Sequence, residues 1–165
     1  MAHPVDMTTT PGTPKPDTTP TDASKHNVTP AGVSNLANPV DLLVAAIPSG
    51  RFTAVAGAAF ADDATLDATV PNWRFAVRGA ARITGELAGW FADEGSFEEL
   101  SRTPLHDGEL LSFTLRWVEG GVPHACHQAH RITVADGASV ADKVWCGGRW
   151  AAPLLAQMEE AARAS

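Results

Sequence analysis

Three of the six histidines fall in one register, His124, His127 and His130, spaced His-x-x-His-x-x-His. Imidazole is the side chain best suited to bind a transition metal or to move a proton near neutral pH. The flanking residues alternate as a strand does, so His127 points away from the other two, and His124 and His130 lie roughly 20 Å apart. One metal ion cannot bridge them, and no metal site is expected. Two cysteines, Cys126 and Cys146, are too few for a disulfide framework or a Cys-based zinc site. They are expected to be free thiols. The sequence has no Gly-rich phosphate loop, no Gly-x-Ser-x-Gly elbow and no His-Glu-x-x-His helix, and no cofactor is expected.

His130 with Asp142 is the stronger combination. The alternation places Ile132 and Val134 toward a core, and the same parity puts His130, Gln128 and Cys126 on that face. If the loop from Asp136 to Ala138 has three residues, Ile132 faces Asp142 and His130 is its diagonal neighbour. The pair would then be a carboxylate-oriented imidazole, suited to proton transfer. A two-residue Asp-Gly turn would instead set His130 against Lys143 and dissolve the pair. A purely structural hydrogen bond between the two is the plain alternative. Gln128, Val144 and Cys146 are expected to line a ligand pocket beside this pair, with Trp73, after the Pro71-Asn72 break, as an indole wall and Trp145 as either a second wall or a core residue. His106, beside Asp107-Gly108, is either a solvated turn residue or a group at the pocket mouth. Trp90, Phe91, Phe113 and Trp117 are assigned to the core, and Arg116 to an outward face.

The elements that must position these groups are legible as changes of period. Thr, Pro, Asp and Ala dominate residues 1–37, which have too few large apolar side chains to offset the entropy of ordering, so a disordered tail is expected there. A helix opens with Asn38 as N-cap and Pro39 at its first position. A second short helix is expected over residues 51–60 and a strand over 66–70. Gly79 opens a third helix in which Ile83, Leu87, Trp90 and Phe91 share a face. The period then becomes two, with strands over 97–106, 109–117, 123–134 and 139–147 separated by Asp107-Gly108, Gly120-Gly121 and Asp136-Gly137. The expected architecture is α+β: a cone-like curved antiparallel sheet packed by two to three N-terminal helices, occupying residues 38–150. Residues 151–165 carry Leu154, Leu155, Met158, Ala161 and Ala162 at helical spacing, as an amphipathic helix does.

With 44% apolar residues the chain can build one core, and its formal charge of −7, with only 12 Lys and Arg, disfavours nucleic acid and acidic membrane surfaces as partners. No apolar run approaches a membrane span, and the N-terminus lacks the basic and apolar blocks of a signal peptide, so a cytoplasmic location is expected.

The run from Phe60-Ala61-Asp62-Asp63 through Pro71-Asn72-Trp73, the helix led by Gly79, and His130-Arg131-Ile132-Thr133-Val134-Ala135-Asp136-Gly137 together resemble the nuclear transport factor two-like superfamily, and within it the SnoaL-like small-molecule proteins. The resemblance covers roughly residues 39–150. It implies a conical α+β fold, a pocket between helices and concave sheet, and a homodimer, in a family of polyketide cyclases, isomerases, dehydratases, hydrolases and non-enzymatic binding domains. Two departures matter. The chain has no tyrosine to stabilise an enolate, and the place seven residues beyond the hairpin glycine, where the resemblance implies an aspartate, is held by Val144 unless a bulge shifts the register. The expected function is cofactor-independent acid/base chemistry on a small apolar organic molecule, with His130 and Asp142 as the catalytic pair. The alternative is a binding protein of the same fold that does not transform its ligand.

Overall fold

The computed structural model describes residues 37–164. The tail expected over residues 1–37 therefore falls, save residue 37, outside the described residues. Ten elements follow in the order α1 (Pro39–Ala46), α2 (Phe52–Ala56), β1 (Phe60–Val70), β2 (Trp73–Arg78), α3 (Ala80–Trp90), β3 (Gly95–Leu105), β4 (Gly108–Glu119), β5 (Val122–Ala135), β6 (Ala138–Ala151) and α4 (Ala152–Arg163). The strands form one curved six-stranded sheet in the order β2-β1-β6-β5-β4-β3. Its neighbours are antiparallel except β1 and β6, which run parallel. The expected four-strand meander β3–β6 is antiparallel throughout, and the parallel contact of β6 with β1 joins it to the N-terminal hairpin.

Local chemistry sets the helix boundaries. The Asn38 side chain accepts from the Val40 N–H at 3.0 Å, satisfying one of the orphan donors of α1, and Pro39 follows where its missing N–H costs nothing. Gly79 precedes α3, which buries Ile83, Thr84 and Leu87 on one face. The second helix is shorter than expected, because Phe60 already belongs to β1. The Pro71-Asn72 break is a hairpin turn in which Asn72 takes φ +62°, a conformation asparagine tolerates, and it opens the unanticipated strand β2.

Side chains of both layers meet on the concave face. Phe52, Phe91, Leu111, Phe113, Ile132 and Val144 are buried together, with Leu66 and Leu87 among the completely covered residues. The rings of Phe113 and Phe97 lie 5.2 Å apart, and those of Phe52 and Phe91 5.8 Å. Farther along the same strands the inward positions are Cys126, Cys146 and Gly148, side chains too short to fill the space between sheet and α3, and there a hollow remains. The helix α4 contributes no buried residue, and it leaves Leu154 and Met158 exposed.

Candidate functional site

The hollow has a volume of about 380 Å³. Its walls come from five strands, one turn and one helix: Val70, Pro71 and Phe75 from the β1–β2 hairpin, Trp90 from α3, and Leu115 and Trp117 from β4. Cys126 and Gln128 of β5 and Cys146, Gly148 and Arg149 of β6 complete it. The indole of Trp90 is held by its own N–H, donated to Glu86 Oε1 at 3.0 Å, and by an edge contact with Phe75 at 6.1 Å. Among the described residues, no carboxylate lines the cavity. Its polar groups are the Gln128 amide, two thiols and the Arg149 guanidinium, the composition of a pocket that takes a mostly apolar molecule and orients it by a few contacts.

Behind Gln128 lies the pair read from the sequence. His130 and Asp142 are 2% and 1% exposed, and His130 Nδ1 lies 2.9 Å from Asp142 Oδ2. The hairpin reaches this register by a route between the two alternatives. The turn has only two residues, Asp136 and Gly137, both with positive φ as a tight hairpin turn requires, and Ala135 pairs with Ala138. Val140 is then an extra residue on β6, and past this bulge Ile132 faces Asp142. His130 itself pairs with Val144.

The imidazole is bonded at both nitrogens, because Nε2 meets Gln128 Oε1 at 3.0 Å. The amide oxygen can only accept, so Nε2–H donates to it. Asp142 Oδ1 is buried without a hydrogen-bond partner among the described residues. The Phe113 ring stacks on the imidazole at 5.6 Å and fixes its plane. From core to cavity the polar chain runs Asp142, His130, Gln128 and then Cys146, whose sulfur receives the Gln128 amide N–H at 3.5 Å and the Gly148 N–H at 3.4 Å.

The other sequence candidates are dispersed. Gln128 and Cys146 are cavity walls, whereas Val144 is packed inside the core and does not reach the hollow. Trp73 and Trp145 are 69% and 42% exposed, and Trp145 points to the outer face with Lys143 over its ring at 5.5 Å. Parity explains Trp145, because it alternates with Val144 and Cys146. His106 sits exposed at the β3–β4 turn beside Asp107. His127 also faces outward, 3.1 Å from the Thr114 hydroxyl, and His124 stacks on Trp117, so the three spaced histidines do not converge. Trp117 lies in the core and Trp90 packs against it, as their spacing implies, and both also form cavity walls, as do Val70, Phe75, Leu115 and Arg149, which the sequence reading does not single out. A sequence signal for the hollow was present in the short inward side chains Cys126, Cys146 and Gly148.

The two thiols differ in burial. Burial, reinforced by the neighbouring Cys146, pushes the Cys126 thiol up to about 12, so it stays protonated and unreactive at neutral pH. Cys146 is half-exposed. Maleimide treatment of the native protein at pH 7 is expected to add one label, at Cys146, and a second only after denaturation. Intact-mass measurement with peptide mapping reads the result.

No protein-family model matches the chain, and no curated protein sequence matches it. Solved structures do. A nuclear transport factor 2-like protein from Anabaena variabilis aligns with TM-score 0.57 and 12% identity over 66% of this chain and 84% of its own. A protein provisionally named an isomerase, from Rhodopseudomonas palustris, aligns with TM-score 0.53 and 14% identity over 67% and 90%. One provisionally named a polyketide cyclase, from Pseudomonas putida, aligns with TM-score 0.51 and 16% identity over 64% and 86%. Identities this low establish a shared backbone and leave the chemistry open. The chain has the nuclear transport factor 2-like fold, a curved unclosed sheet packed by helices around a hollow.

Proposed function

We propose that this protein is a SnoaL-like small-molecule protein whose cavity binds an apolar organic molecule, in a cytoplasmic homodimer. The observation that carries the reading is the lining: aromatic and aliphatic walls surround about 380 Å³, and Gln128 is the one amide among the described lining residues. Burying apolar ligand surface supplies the affinity, at roughly 25 cal/mol per Å² before the entropic cost of association, and the amide fixes orientation. Similarity to proteins provisionally named isomerase and polyketide cyclase is consistent with a small organic ligand.

A catalytic reading is favoured by one further observation. The Asp142–His130 pair stands one side chain from the hollow, with Nε2–H aimed at the Gln128 amide. A rotation of Gln128 toward the bound molecule would bring that N–H to the cavity as a general acid, and Asp142 would hold the imidazole in the required orientation. Isomerisation, dehydration, cyclisation and hydrolysis all use such a proton.

Native mass spectrometry of protein purified from its host tests the first reading, since it reports subunit count and retained ligand together. A dimer carrying an organic adduct of a few hundred daltons is expected, and an adduct that persists when Leu115→Trp fills the cavity overturns the assignment. For the second reading, His130→Ala and Gln128→Ala are compared for turnover of the recovered ligand. Unchanged turnover in His130→Ala removes the imidazole from any mechanism.

A further inference from the structure

The strand β6 departs from regular pairing a second time, and the departure moves a charge. Along β6, Asp142, Val144 and Cys146 face the concave side, and simple alternation would turn Gly148 inward and Arg149 outward. Instead Gln128 pairs with Cys146 while Cys126 pairs with Arg149, so Gly147 and Gly148 together oppose His127 alone. The extra residue places Arg149 across from the inward-facing Cys126, and its side chain joins the cavity wall. The bulge requires glycine: Gly148 has φ +112°, and a Cβ there would lie 3.2 Å from the Pro71 side chain. Bulges of this kind commonly re-aim a side chain beside a binding site.

The re-aimed guanidinium is already held for use. It lies 5.0 Å from the centroid of the Trp117 ring, and one of its nitrogens donates to Glu119 Oε2, an acceptor that is itself half-exposed and outside the cavity lining. Trp117 is fixed in turn by His124, stacked at 5.5 Å, and by its N–H, 3.4 Å from the same Glu119 oxygen. Among the described residues of the wall, Arg149 is thus the one cationic group and none is a carboxylate, and Glu119 is a counter-ion that an incoming anion can replace. Guanidinium recognises carboxylate through two parallel hydrogen bonds, with stronger pairing than neutral partners achieve.

We infer that the ligand is an apolar carboxylic acid, its carboxylate on Arg149 at the mouth and its hydrocarbon body between Trp90, Trp117, Phe75 and the cysteines. The inference rests on the cavity being a ligand site and names the class of molecule it takes.

Binding of 2-naphthoate and of its neutral counterpart 2-naphthamide, followed by tryptophan fluorescence and calorimetry, tests it. The acid is expected to bind about ten-fold more tightly at low salt. The preference should vanish in Arg149→Gln with amide affinity kept, and should grow in Glu119→Gln, which removes the competing internal acceptor. In the wild-type chain, added sodium chloride should weaken the acid and leave the amide unchanged, a readout independent of any variant's folding. Equal affinity of acid and amide, or an acid preference that survives Arg149→Gln, overturns the inference and leaves the cavity assignment intact. Binding of neither probe overturns both.

Discussion

Replacing Asp142 by Ala is expected to lower the free energy of unfolding by about 3–5 kcal/mol, and His130→Ala by a similar amount, as judged by urea denaturation followed by circular dichroism. Each single change leaves a polar partner stranded at 1–2% exposure, where water cannot replace the lost bond. The two losses should not add, because the second truncation removes a group already orphaned by the first. A double-mutant cycle therefore gives a coupling energy of a few kcal/mol. The apolar pair His130→Met with Asp142→Val is the informative control. Since both groups lie in a continuous core beside Phe113, Leu111 and Ile132, it should recover most or all of the stability. Recovery would show that the pair is not retained for stability. A protein that is as stable without its pair, yet loses turnover, would assign the pair to chemistry. One that loses neither would leave ligand binding as the sufficient account.

The sequence carried the periodicities, and with them the helices α1 and α3, the four-strand meander and the side of β5 that faces inward. These signals are local: alternating side chains, Asp-Gly turns and an Asn-Pro helix start each act within a few residues. What it could not display was the outcome of the two bulges of β6, because the effect of an extra residue is set only against a partner strand. Val140 looks like an ordinary strand residue in one dimension, and the Gly147-Gly148 pair marks a bulge without showing which side chain it re-aims. In three dimensions the first brings Asp142 to His130 and the second turns Arg149 toward the cavity. The parallel pairing of β1 with β6 was hidden for the same reason, being a contact between segments about 75 residues apart. Trp73 and Trp145 were overvalued as cavity walls because their size was weighed without register. Val144 was placed on the correct face, but at the end of the cone that Phe113 and Ile132 fill.

Phe113 joins the core to the candidate site, and Phe113→Ala is expected to cost about 3–5 kcal/mol of stability. The ring is completely buried, with Phe97 at 5.2 Å, Phe91 at 6.4 Å and the His130 imidazole at 5.6 Å. Its loss removes dispersion contacts on every side, and the strands cannot close the gap because their spacing is set by the hydrogen-bonded pairing of β4 with β3 and β5. Phe113 pairs with Gln128, so the void opens immediately behind the floor of the cavity. Two consequences separate this site from an ordinary core position. Apolar molecules larger than those the wild-type cavity accepts should raise the melting temperature of Phe113→Ala selectively, since occupancy restores the missing contacts. The imidazole, no longer fixed by a stacked ring, should also lose its orientation toward Gln128, visible as a change in the His130 ring resonances by NMR. Destabilisation below about 1 kcal/mol would mean that neighbouring side chains collapse into the space, and the rigid floor assumed for Gln128 and His130 would have to be abandoned.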